Sequence, residues 1–192
     1  MKKALIIFAI ILGILLFIAF GIFGWVKNSY NSMVTLDEGV NSAWAQVENV
    51  LQRRFDLIPN LVATVKGYAA HESEVLTQVT EARAKVGGAG TPSSRMQAEG
   101  ELSSALSRLM VVVENYPQLK ANQNFIMLQD ELAGTENRIA VERRRYNEVV
   151  QAYNTTIRRF PQSFIANAFN FGKRDFFEAA EGAQEAPKVS FE

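Results

Sequence analysis

An all-α chain is expected, with an N-terminal transmembrane helix followed by a long antiparallel four-helix up-and-down bundle. Three observations predict it: one uncharged apolar run, apolar stripes at helical spacing, and breaks only where glycine or proline falls. The run is Ala4 to Val26, bracketed by Lys2, Lys3 and Lys27. As a helix it covers roughly 34 Å at about 1.5 Å per residue. A bilayer's hydrocarbon core is about 30 Å thick. Within it every backbone polar group needs a partner in the same segment, so the run must be helical.

A cleaved signal peptide is the competing reading. Its apolar region spans about 7 to 15 residues and ends in small residues. Ala19-Phe20-Gly21 is a poor cleavage site, and apolarity continues through Ile22, Phe23, Trp25 and Val26. The span is therefore read as retained and single-pass. Trp25 and Tyr30 sit where amphipathic rings favour the interface. Lys2, Lys3 and the terminal amine outweigh Lys27, which puts the N-terminus in the cytoplasm and the bundle outside the inner membrane. Four segments follow: a short tail at 1–3, the span at 4–26, the helical domain at 27–178 and a polar tail at 179–192.

About 165 residues lie outside the span, enough for one domain with a real core. Twenty basic and twenty acidic residues cancel among the 192, so no global charge draws the chain to nucleic acid. Cysteine is absent, which removes disulfides and thiolate chemistry. The one histidine, His71, reads as a solvated helix residue beside Glu72.

From Tyr30 the residues Leu36, Val40, Trp44, Val47, Leu51 and Ile58 recur at steps of three, four or seven. The stripe continues through Leu61, Val65, Tyr68, Val75, Leu76 and Val79. Pro59 interrupts it. No loop-forming residues surround Pro59, so one long kinked helix is favoured over a new helix capped by Asp56. Val86 to Ser94, rich in glycine with Pro92, is a connector between helices. A helix then runs from about Ser94 to Glu114. Asn115-Tyr116-Pro117 ends it, and a long helix from Gln118 to Arg159 follows. In that helix Ile139, Tyr146, Tyr153 and Phe160 repeat every seven residues, a bundle or coiled-coil seam. Phe160-Pro161 stops it. Seven of the 13 phenylalanines lie from Phe160 onward, so Phe164 to Phe177 must dock, as a short closing helix or loop, on the bundle. A subunit contact and the bilayer surface are the alternatives.

No catalytic, cofactor-binding or metal-ligating constellation emerges. A nucleophilic triad would depend on His71 alone. The carboxylate pairs Glu72 and Glu74, Glu99 and Glu101, and Asp130 and Glu131 stand one or two apart on helices and read as solvated surface. Arg143-Arg144-Arg145 wraps a helical turn between Glu142 and Glu148 and reads as a solvated face. The pairs Tyr30-Asn31, Tyr146-Asn147 and Tyr153-Asn154 are more distinctive: a structural seam, or a groove if the hydroxyls and amides converge.

These residues resemble the bacterial LemA family. The resemblance rests on Tyr30-Asn31, Ala43-Trp44, the run RRFDLIPNLV from Arg53 to Val62, and Val65-Lys66-Gly67-Tyr68-Ala69 with His71-Glu72. It extends to Glu114-Asn115-Tyr116-Pro117, Glu136-Asn137-Arg138-Ile139-Ala140, the two later Tyr-Asn pairs and Phe160-Pro161. It implies one span followed by an antiparallel helical bundle, and no established enzymatic activity. Relatives among magnetosome membrane proteins imply work on membrane organisation. The expected function is a non-enzymatic scaffold at the bilayer, a homo-oligomer, without nucleic acid. The alternative is a sensor or binding module acting through a partner membrane protein.

Overall fold

The structure is a computed structural model that describes residues 2–177, with side chains from Leu5 onward. The expected polar tail at 179–192 lies outside the described residues. The described residues form six helices: α1 (Lys2–Lys66), α2 (Ser73–Gly88), α3 (Pro92–Val113), α4 (Pro117–Lys120), α5 (Gln123–Arg158) and α6 (Gln162–Ala168). No strand occurs among the described residues.

The stretch of α1 starting at Leu5 is long and apolar enough to cross a membrane, and this fits a membrane protein. Every side chain from Leu5 to Trp25 is exposed. Beyond it, α1 continues without a break through Pro59. Met33, Val40, Val47 and Leu61 are buried, and so is Arg54 between them, at intervals of seven. Leu51, Ile58 and Val65 form the second buried row.

One expectation needs correcting. The first helix does not run on to Val86. It ends at Lys66, and six residues separate it from α2. Gly67, a poor helix former, bonds back to the Ala63 carbonyl, and Tyr68 and Ala69 both bond to Val65. Periodicity misses this turn because Ala69 inside it is buried like a stripe residue. Similarly, the expected Gln118–Arg159 helix is two elements. Asn122 starts α5 by accepting the Phe125 N–H at 3.1 Å. The connector is also shorter than expected, since Gly87 and Gly88 belong to α2. Thr91 caps α3 in a reciprocal box with Ser94, and Pro92 holds the first helical position.

The described residues fall into two compact units. The first takes in residues up to Asn41 with Glu148–Arg174; the second takes in Ser42–Asn147 with the residues from Asp175. In the first, Tyr30 packs against Phe169 and Phe171, with ring centroids 4.8 and 5.7 Å away. Asn170 adopts a left-handed backbone (φ 59°), which Asn tolerates, and the Phe171 N–H returns to the Ala166 carbonyl to close α6.

In the second unit the core is built from Ile58, Leu61, Val79, Leu102, Leu109 and Phe125 with their neighbours. Trp44, half-buried, meets Tyr146 edge-on at 5.5 Å. Helices α2 and α3 run in opposite directions, as Lys85 pairs with Glu101 and Arg108 donates to Gln78. The exposed Arg53 donates to Glu131. Arg54 behaves differently. Its guanidinium is buried and bonds to Glu99, to Glu136 at 2.6 Å and to Ser103 at 3.0 Å.

Removing one partner of such a pair strands a buried charge, whereas replacing both with apolar groups is often neutral. Because Arg54 keeps Glu136, Glu99→Ala should cost about 1.5 to 3 kcal/mol, the range of a hydrogen bond to a charged group, in urea unfolding of the detergent-solubilised chain. The double change Arg54→Met with Glu99→Leu should recover most of that loss.

Candidate functional site

Along α5 the residues Phe125, Leu132, Ile139, Tyr146 and Tyr153 are all buried, each seven after the last. The residue after each is turned about 100° round the helix. That places Asn147 and Asn154 at the edge of the buried stripe, beside the tyrosine hydroxyls.

In the first unit these groups grip the segment that follows α6. The Tyr153 hydroxyl donates to the Gly172 carbonyl at 2.9 Å. The Asn154 amide donates to the Arg174 carbonyl at 2.8 Å, and its oxygen accepts the Arg174 N–H at 3.0 Å. One asparagine thus satisfies both backbone groups of one residue, as a neighbouring β-strand would. The Arg174 side chain donates twice to Asp37, at 2.9 and 3.1 Å. Burial, with the Asp37 charge behind it, pushes the Tyr153 hydroxyl above the ordinary phenol range. It therefore stays protonated, and a donor, through neutral pH.

The same device recurs in the second unit. Tyr146 donates to the Asp175 carbonyl at 3.0 Å. Asn147 donates to the Phe177 carbonyl at 2.9 Å and accepts its N–H at 2.8 Å. The Arg143 guanidinium lies 4.0 Å over the Phe177 ring. Burial draws Arg143 below its usual value, and Glu136 opposes that shift.

In each unit the α5 Tyr-Asn pair is engaged by the chain's own backbone, residues 172–174 in the first and 175–177 in the second. Tyr30-Asn31 differs: Tyr30 packs by its ring, and the Asn31 carbonyl accepts from Thr35. Three sequence readings fail here. Arg143 is not a solvated residue, although Arg145 does form the surface pair with Glu142. Glu99 is not surface either; it is 2% exposed. Its signal was available, because Glu99, Leu102, Leu106, Leu109 and Val113 lie on one stripe of α3. Phe160, expected in the α5 seam, is 80% exposed, because the helix ends at Arg158 ahead of Pro161.

A second polar cluster joins two of the sequence motifs. Tyr116 donates to Glu72 at 2.8 Å, and Asn122 donates to the Tyr68 hydroxyl at 2.8 Å. The hydrogen bond to Glu72 raises the Tyr116 pKa. His71 is exposed in the turn before α2, not in a helix. Two open grooves lie in the second unit. One, of about 290 Å³, includes Gln78, Lys85, Glu101 and Arg108. The other, of about 560 Å³, includes Asn60, Thr64, Asn124 and Glu131. Among the described residues no three His, Asp or Glu side chains gather as a metal cage.

Asn154→Ala leaves the Arg174 N–H and carbonyl without their partner. Each unsatisfied backbone group costs about 1 to 3 kcal/mol if it stays buried. Tryptic cleavage after Lys173 and Arg174 should rise about tenfold, in line with ~1.4 kcal/mol of easier local opening. Unchanged cleavage would mean that other contacts hold the segment.

Comparison with known proteins gives these motifs a family. The LemA family model matches residues 43–191. Magnetosome protein MamQ 2 of Paramagnetospirillum magneticum is 26% identical across 78% of this chain. Magnetosome protein MamQ of Magnetospirillum gryphiswaldense is 25% identical across 77%. The chain spans 64% of the length of each. Protein LemA of Metamycoplasma hominis is 23% identical across 84% of this chain and 74% of its own. The matched residues include the buried Arg54, both α5 Tyr-Asn pairs and the Tyr116 cluster, and on that match the chain belongs to the LemA family.

Proposed function

We propose that the chain is a membrane-anchored, non-enzymatic interaction or scaffold protein of the bacterial envelope, self-associating and engaged in membrane organisation. The observation that carries this reading is the continuity of α1, which passes from an exposed, bilayer-length apolar stretch into buried rows without a break. A body built on that helix stays at the surface, where a two-dimensional tether raises its effective concentration. Magnetosome proteins among its relatives support a role in membrane organisation. A non-enzymatic role is supported by the engagement of the distinctive polar groups. The Tyr-Asn pairs hold the chain's own backbone, and Arg54 and Glu99 bond to each other.

The second unit is the up-and-down bundle in this reading, with α2 in the place expected for a short C-terminal helix. Cross-helix pairs support alternating directions. Tyr68 meets Asn122 while Arg54 meets Glu136, so α5 numbers fall as α1 numbers rise. The span is single-pass in the inner membrane, with the N-terminus cytoplasmic and the body outside. The partners are the bilayer and further copies of the chain, with no nucleic acid. A second reading, a sensor acting through a partner membrane protein, is favoured by the same unbroken α1, which couples the span to the packed body.

Mass measurement in mild detergent should find a species larger than one chain; a strictly monomeric species at cellular density would remove the scaffold version. Co-purification of one defined membrane protein would favour the sensor. A C-terminal reporter active only outside the cytoplasm should be active, and an inactive one would reverse the orientation.

A further inference from the structure

We propose that α6 and the residues flanking it form an interfacial foot. Its occupant is the surface of the same bilayer that α1 crosses, and the proposal rests on reading α1 as a span. Three phenylalanines of the first unit outside the apolar run face solvent: Phe160 at 80% exposure, Phe164 at 68% and Phe169 at 52%. The rings of Phe160 and Phe164 meet edge-on at 5.8 Å, so they form one patch. Ile165 and Ala166 are buried, so α6 is anchored by one side while Phe164 is presented outward. Exposed aromatic surface of this kind marks a binding face.

Position along α1 identifies the occupant. Phe169 packs on Tyr30 at 4.8 Å. Tyr30 is four residues past Val26, the last residue of the apolar run. Four residues rise about 6 Å along a helix. The polar layer on each side of the hydrocarbon core is roughly 5 to 8 Å deep. Phe169 is therefore held at headgroup depth, where interfacial segments bury their apolar side. Charge agrees. From Thr155 to Arg174 the sequence holds Arg158, Arg159, Lys173 and Arg174 and no acidic residue. Arg158, Arg159 and Lys173 are exposed. Basic side chains flanking aromatic ones suit lipid phosphates.

The absence of cysteine makes a direct test clean. Single changes Ile14→Cys, Phe164→Cys and Thr77→Cys, all at exposed positions, are spin-labelled in the full chain. The chain is reconstituted in phosphatidylcholine vesicles with and without phosphatidylglycerol. Relaxation by oxygen, which partitions into lipid, is compared with relaxation by a water-soluble nickel chelate. The inference expects Ile14 to be deep, Phe164 to favour oxygen several-fold more than Thr77, and Arg158→Gln with Arg159→Gln to lift Phe164 outward only where phosphatidylglycerol is present. If Ile14 is deep but Phe164 matches Thr77, the foot is overturned and the anchor stands. If Ile14 itself favours nickel, both fall. Dipolar broadening between Phe164 labels on neighbouring copies, without oxygen preference, would give the face to a second copy and overturn the lipid assignment.

Discussion

A backbone in hydrocarbon can bond only to itself, and the apolar run of α1, long and apolar enough to cross a membrane, meets that constraint as a helix. Once started, that helix continues to Lys66 and changes its environment without changing its conformation. The side chains are apolar on every face to Trp25, and thereafter only two rows, led by Met33 and Leu51, are buried. The switch from all-round to one-sided apolarity marks where the exposed apolar stretch gives way to packing. Pro59, exposed on the helix, does not end it.

The buried rows are not wholly apolar. Arg54 takes a position that Val47 and Leu61 fill one heptad to either side. A charge there is weak evidence for added stability, because desolvation offsets much of the attraction. Its effect is on alternatives. Sliding α1 by one turn against α3 would part Arg54 from Glu99 and leave both charges in the core. A polar residue at such a position specifies register in helical assemblies. The same geometry explains why Arg53 next door is a different kind of residue: its ion pair with Glu131 is exposed and contributes little.

Much of the helix pattern was legible in the sequence because amphipathic periodicity, glycine and proline are local signals. The helical apolar run, an α3 start within two residues of the expected Ser94 and the stop before Pro161 all follow from them. The turn at Gly67 was not legible, since the apolar stripe crosses it and a lone glycine is a modest breaker. Glu99 and Arg143 were misread because charge was weighed above position. Glu99 lies on the α3 stripe, and the place of Arg143 depends on Phe177, 34 residues further on. The Tyr-Asn pairs stood out as a pattern, yet what they bind comes from a segment without periodicity of its own. Only long-range geometry could bring it there.

The spacing of those pairs has a numerical logic. Seven helical residues advance about 10.5 Å, and three extended residues advance about 10 Å. In the first unit Tyr153 and Asn154 address Gly172 and Arg174; in the second Tyr146 and Asn147 address Asp175 and Phe177. Because these bonds read main-chain atoms, they constrain the length of that stretch more than the identity of its side chains. One inserted or lost residue would put every later amide a step out of phase with its asparagine.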